Sequence, residues 1–168
     1  MSTRRMHILI LEDDADRREA MLDRLADRFP FYCVQVFDAV APMVRRLESQ
    51  GLDDVILMSL DHDLNLLPGA DGEWIDPGTG LELADWLARQ RPVCPVIVHT
   101  TNTQDGTRMQ RVLEESGWRT SRVIPFDDLA WIDEDWIRVV RREIVRCADF
   151  SVRKSPEESL TPKIERVT

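Results

Sequence analysis

Three apolar runs in this chain each stop abruptly at a cluster of polar side chains. His7–Leu11 (HILIL) ends at Glu12, Asp13 and Asp14, Val55–Leu60 (VILMSL) ends at Asp61, His62 and Asp63, and Pro95–Val98 (PVIV) ends at His99, Thr100, Thr101 and Asn102. Short apolar runs without alternation suit parallel strands buried on both faces. Segments with helical spacing follow them. Ala15–Phe29 sets Met21, Leu22, Leu25, Ala26 and Phe29 on one stripe, and Val40–Gln50 uses Met43, Val44 and Leu47 before Gly51. Gly80–Arg91 uses Leu83, Ala84, Trp86 and Leu87, Thr103–Ser116 uses Met109, Val112 and Leu113 before Gly117, and Asp133–Phe150 uses Trp136, Val140 and Ile144. Phe31–Phe37 and the stretch Trp118–Phe126, centred on Val123 and Ile124, supply two further strands. Five strands alternating with five helices predict an α/β fold, a three-layer doubly wound parallel sheet with right-handed crossovers over residues 1–150. The remainder, 151–168, is charged, carries two prolines and has no apolar stripe, which predicts a loosely held tail.

Ligands of such sheets bind beyond the carboxyl ends of the strands. The three polar clusters are therefore expected to face one shallow crevice. Residues 65–79 (NLLPGADGEWIDPGT) read as an irregular loop of a length that is usually functional or mobile, with Trp74 placed to stack on a base or to pack over a helix.

Composition removes several classes. The 168 residues hold 31 acidic and 22 basic side chains, for a net charge of −9. Such a charge repels a phosphate backbone at long range, so generic DNA binding is not expected. No run approaches the roughly 18 apolar residues of a membrane span, and the first residues lack a signal-peptide core, which predicts a cytoplasmic protein without membrane contact. Cys33, Cys94 and Cys147 are few, scattered and in apolar surroundings, so they read as reduced thiols.

The crevice residues point to phosphate chemistry. Asp13 and Asp14 with Asp61, joined by Asp63 if the strand continues, can give hard oxygen ligands to a divalent cation, Mg²⁺ or Mn²⁺. Three converging acids need a cation or a proton between them. Equally, Asp13 or Asp14 can cap the helix that follows. Imidazoles are suited to proton transfer at physiological pH, so His62 and His99 can act as acid and base on a cyclic phosphodiester, or else pack as ordinary structural side chains. Thr100 and Asn102 can donate to a phosphoryl oxygen, with Asn102 also suited to cap the next helix. Arg17, Arg18 and Arg108 lie where phosphate contacts are expected.

An acidic pair after strand one, an aspartate after strand three, a threonine after strand four and the phrase PVIVHT together resemble a response-regulator receiver domain, over about positions 6–149. The resemblance implies a CheY-like, flavodoxin-like sheet of order 2-1-3-4-5, metal-binding acids at Asp13 and Asp14, a phosphoacceptor at Asp61 and a switch hydroxyl at Thr100. It also implies a protein partner docking on the fourth and fifth helices. Two departures stand out. Receivers carry a lysine before the proline that ends strand five, where this chain has Ile124, and the segment from Asp61 to Gly80 is about a dozen residues longer than the usual turn. The combination SLDHDL, then Thr79-Gly80 opening a helix, then VHTTN is closer to the receiver-like family described as cyclic-phosphate processing. That resemblance implies action on a cyclic phosphate of RNA or a nucleotide, with His62, His99 and Asp61 catalytic. The competing expectations are a receiver or pseudo-receiver working through phosphorylation or partner binding, and a plain interaction scaffold.

Overall fold

In a computed structural model, the described residues are 5–153, with side chains as far as residue 147. The strands are β1 (His7–Leu11), β2 (Cys33–Phe37), β3 (Val55–Leu60), β4 (Leu67–Pro68), β5 (Trp74–Ile75), β6 (Val96–His99) and β7 (Thr120–Val123). The helices are α1 (Ala15–Arg28), α2 (Val40–Gln50), α3 (Gly80–Leu87), α4 (Thr103–Glu115) and α5 (Ile137–Arg153), the last entered through a π-helical turn at Ile132–Trp136. The five long strands pair in the order β2-β1-β3-β6-β7, all parallel. This is the flavodoxin-like order expected from the sequence, because β4 and β5 form a separate antiparallel ladder inside the long loop.

Alternation along the strands divides the interior into two cores. Leu9, Leu11, Met58, Leu60, Val96 and Val98 pack under α2, α3 and α4, together with Met43, Leu83 and Met109. Ile8, Ile10, Leu57, Ile97 and Val123 pack under α1 and α5, together with Met21, Trp131, Trp136 and Val140. The strands are apolar on both sides because both sides are covered.

Differences from the sequence reading fall at the ends of elements and in residues 65–79, expected as an irregular loop, where β4 and β5 form their short ladder. The last strand stops at Val123, and Ile124 is 54% exposed. The final helix runs on to Arg153, three residues into the expected tail, and 154–168 lie outside the described residues. No described helix is long and apolar enough to cross a membrane. At the edge of the sheet opposite the crevice, buried Arg46 grips Asp54 through two hydrogen bonds of 2.9 and 3.1 Å, and His7 Nδ1 lies 3.1 Å from the same carboxylate. His7 thus serves the base of the fold.

Asp14 starts α1: its carboxylate accepts the Arg17 N–H at 2.9 Å. Asp14→Ala should lower stability by about 1 kcal/mol, the usual value of such a cap, read by urea denaturation.

Candidate functional site

The register of the sheet assembles the site. Leu11 pairs with Leu60 and Leu60 with Val98, so the next residue of each strand, Glu12, Asp61 and His99, forms one row across β1, β3 and β6. The Asp61 N–H continues the ladder to the Leu11 carbonyl at 2.9 Å. Strands neighbouring in a sheet lie about 4.8 Å apart, which brings side chains on one face of a row into contact. One ligand atom from each of Glu12, Asp61 and His99 lies within 4.8 Å of the others, and all three residues are buried. By alternation the row projects on the α1/α5 side of the sheet.

Each member is oriented by neighbours. Glu12 takes the Asp14 N–H on Oε1 at 3.0 Å, leaving Oε2 3.2 Å from His99 Nε2. The other ring nitrogen of His99 is 2.8 Å from Ser59 Oγ, and Ser59 in turn accepts the indole N–H of Trp136 at 2.9 Å. Trp131 stacks on the His99 ring with centroids 5.7 Å apart. Ser59 can donate to Nδ1 or accept from it, so the imidazole can present Nε2 either as a proton donor to Glu12 or as a bare lone pair. Asp61 receives the His62 N–H at 2.6 Å. Burial pushes the Asp61 carboxyl up from 3.8 to about 6, with the Glu12 charge adding to it and His99, the His62 N–H and Arg17 opposing. Two carboxylates and an imidazole out of water hold a proton or a cation between them.

The other expected residues lie around this row. Asp14 caps α1, and Asp13 accepts the Asn65 N–H at 2.6 Å, tying down the start of the long loop. Neither belongs to the three-residue cluster, whose third donor is instead Glu12. His62, one step beyond Asp61, falls on the opposite face. Its Nε2 is 3.3 Å from Asp105 of α4 and 3.6 Å from the exposed Asp63, and its buried Nδ1 has no hydrogen-bond partner. Of the two imidazoles expected at one crevice, strand alternation sends His99 towards α1 and α5 and His62 towards α4. Thr100 shares the His62 side; its hydroxyl accepts the Asn102 N–H at 3.2 Å and keeps its own hydrogen for a ligand. Asn102 caps α4, accepting the Asp105 N–H at 3.0 Å and donating to the Asp105 carboxylate at 3.1 Å. Arg122 fastens this turn by donating to the carbonyls of Thr100 and Asn102, both at 3.0 Å.

Glu12, Ser59, Trp131, Trp136 and Arg122 hold places around the site that the sequence alone did not assign them. A signal for Glu12 was present, because it, Asp61 and His99 are each the first polar residue after an apolar run.

Residues 8–115 match the family described as the Cyclic-phosphate processing Receiver domain. The chain belongs to that family. Solved receivers share its fold at low identity. The signal receiver domain of a Luxo repressor protein from Vibrio parahaemolyticus superposes with a TM-score of 0.62 at 13% identity, covering 90% of this chain and 99% of that one. The signal receiver domain of an HD domain-containing protein from Pseudomonas fluorescens gives 0.62 at 15%, covering 91% and 96%. The Mn(2+)-bound form of response regulator Rcp1 gives 0.54 at 18%, covering 82% and 90%. Among curated proteins none matches. Against the receiver pattern, this receiver domain has an imidazole in its acidic row and no lysine before Pro125.

Proposed function

We propose that this receiver domain opens a cyclic phosphate of an RNA end or a nucleotide at the rim of its sheet, with a divalent cation held by Glu12, Asp61 and His99. The observation that carries the reading is the buried in-register row of two carboxylates and one imidazole. The donors fit the ion. Carboxylate oxygens suit Mg²⁺ or Mn²⁺, and the imidazole nitrogen adds a preference for transition ions such as Mn²⁺. Held by these residues, a divalent cation would supply polarisation of the phosphoryl group and a more acidic bound water.

The protein side of the reaction follows from placement. Ser59 and Trp136 fix the His99 ring so that Nε2 faces the crevice, and the Asp14 N–H fixes Glu12. Asp13, Asp14 and Asp63 add negative charge around the cation. Thr100 donates its hydroxyl hydrogen to a phosphoryl oxygen, and Asn102 holds that hydroxyl in place. Water oxygen bonds to phosphorus as the water gives up a proton to the Asp61 carboxylate, one phosphorus–oxygen ester bond breaks, and the departing sugar oxygen takes a proton from His62, whose Nε2 lies 3.3 Å from Asp105. Incubation with 2′,3′-cyclic nucleotides and Mg²⁺ or Mn²⁺ should release linear monophosphates, and Asp61→Asn or His99→Ala should abolish the release. Absence of turnover with every cyclic phosphate tried would overturn this reading.

A second reading, phosphorylation of Asp61 with partner binding through α4 and α5, is favoured by the receiver sheet order and by Thr100 lying just past β6. Acetyl phosphate should then label the protein at Asp61 and leave Asp61→Asn unlabelled.

A further inference from the structure

Arg17 stands in an unusual relation to the crevice. Its Nη1 is 3.7 Å from Asp61 Oδ2 and 3.8 Å from Glu12 Oε2. Both distances are beyond hydrogen-bond length, so charge rather than fixed geometry holds the guanidinium there. Among the described residues it also lies over the face of Trp131, with the guanidinium carbon 5.8 Å from the ring centre. The side chain is 29% exposed. It also lines an open pocket of about 300 Å³ with Asp14, Asp16, Thr101, Phe126, Asp127 and Asp128, among other residues, and is the sole cation of that lining.

The other arginines near the crevice are committed elsewhere. Arg108 pairs with Asp105 at 3.1 Å and Arg122 is spent on the two turn carbonyls, while Arg18 faces Asp38 at 3.8 Å and is not among the residues lining the pocket. Before Pro125, where receivers carry a lysine, stands Ile124. An anion approaching the pocket would meet four aspartates and one arginine.

We propose that Arg17 is both the resident counter-charge of Glu12 and Asp61 and the phosphate ligand of the crevice: a divalent cation entering between the two carboxylates displaces the guanidinium, which turns into the adjoining pocket and takes the phosphate. The inference rests on the cation reading above. Movement is inexpensive, because no short hydrogen bond is broken when the guanidinium leaves the carboxylates. The planar fork then suits two phosphoryl oxygens at once. The arrangement couples the two ligands. Without the cation, Arg17 is occupied and the aspartates repel phosphate; with it, one positive charge is freed where the anion arrives.

Calorimetry on the full chain tests this with Mn²⁺ alone, and then with inorganic phosphate added to Mn²⁺-saturated protein. Arg17→Gln should bind Mn²⁺ roughly five-fold more tightly, since a competing positive charge is gone. It should bind phosphate about ten-fold more weakly, and Arg17→Lys should recover much of the phosphate affinity. Binding of Mn²⁺ to Arg17→Gln but not to the parent protein would also support displacement. Unchanged Mn²⁺ or phosphate affinity in Arg17→Gln, with Mn²⁺ still bound, would overturn the role of Arg17 and leave the cation site standing. Failure of both proteins to bind Mn²⁺ would overturn the two together.

Discussion

Asp61→Asn should make the folded protein more stable at pH 8, by roughly 2 to 3 kcal/mol, while removing a donor from the crevice. The Asp61 carboxyl has its pKa raised from 3.8 to about 6, chiefly by burial. A raised carboxyl pKa means that the folded state keeps a proton that the unfolded chain has lost. Stability due to this group therefore falls as pH climbs from about 4 to 6, and the full penalty remains at every higher pH. The amide carries no charge and escapes the penalty. Urea denaturation of the two proteins should give nearly equal stabilities at pH 4 and diverge by pH 7. Added Mn²⁺ should then reverse the order at pH 8, since an ion that binds only the folded state stabilises it. A parent protein more stable than Asp61→Asn at pH 8 without metal would mean that Arg17 and His99 outweigh burial.

Gly80→Ala should cost about 3 kcal/mol and weaken Mn²⁺ binding as well. A Cβ at Gly80 would lie 2.0 Å from the Asp61 carbonyl oxygen and 2.8 Å from Met109 Cε. The first of these is backbone, and it belongs to the strand end that carries a crevice donor. The Gly80 N–H also donates to the His62 carbonyl at 3.0 Å, so α3 begins pressed against the residues it would have to push away. Gly106→Ala offers a comparison. Its Cβ would meet the guanidinium of Arg122 rather than backbone, and that guanidinium would have to swing off the Thr100 and Asn102 carbonyls. Gly80→Ala should unfold at clearly lower urea concentration than Gly106→Ala. Equal midpoints would show that the contact between α3 and β3 yields easily.

The fold was legible because each long strand except the edge ones is apolar on both faces, a pattern that only a covered parallel sheet satisfies. Val55–Leu60 could be bounded to the residue, whereas β7, with Thr120, Ser121 and Arg122 in its four residues, could only be located roughly. The site was legible by region. That Asp61 and His99 end neighbouring strands could be read from the runs, and the row they form with Glu12 needed the register. Three successive acids follow β1, and sequence does not say which completes the strand, which anchors the loop and which caps α1. Hydrogen bonds make the division: Glu12 faces His99, Asp13 takes Asn65 and Asp14 takes Arg17. The placement of His62 depended on the same parity, because one residue along a strand is the difference between the α1/α5 face and the α4 face. Ser59 and Trp136 were invisible as supports of His99, being 40 and 77 residues from the groups they touch.

The crevice row takes one side chain from each of three strands whose residues are far apart along the polypeptide. No fragment holding a single βα unit contains more than one of them, so the centre comes into being only when β1, β3 and β6 are already side by side. Any ion seated there acts as a rivet through the middle of the sheet. Its grip must be broken before the central strands can part, so the concentration of that ion in the surroundings would set how long the chain survives protease or heat.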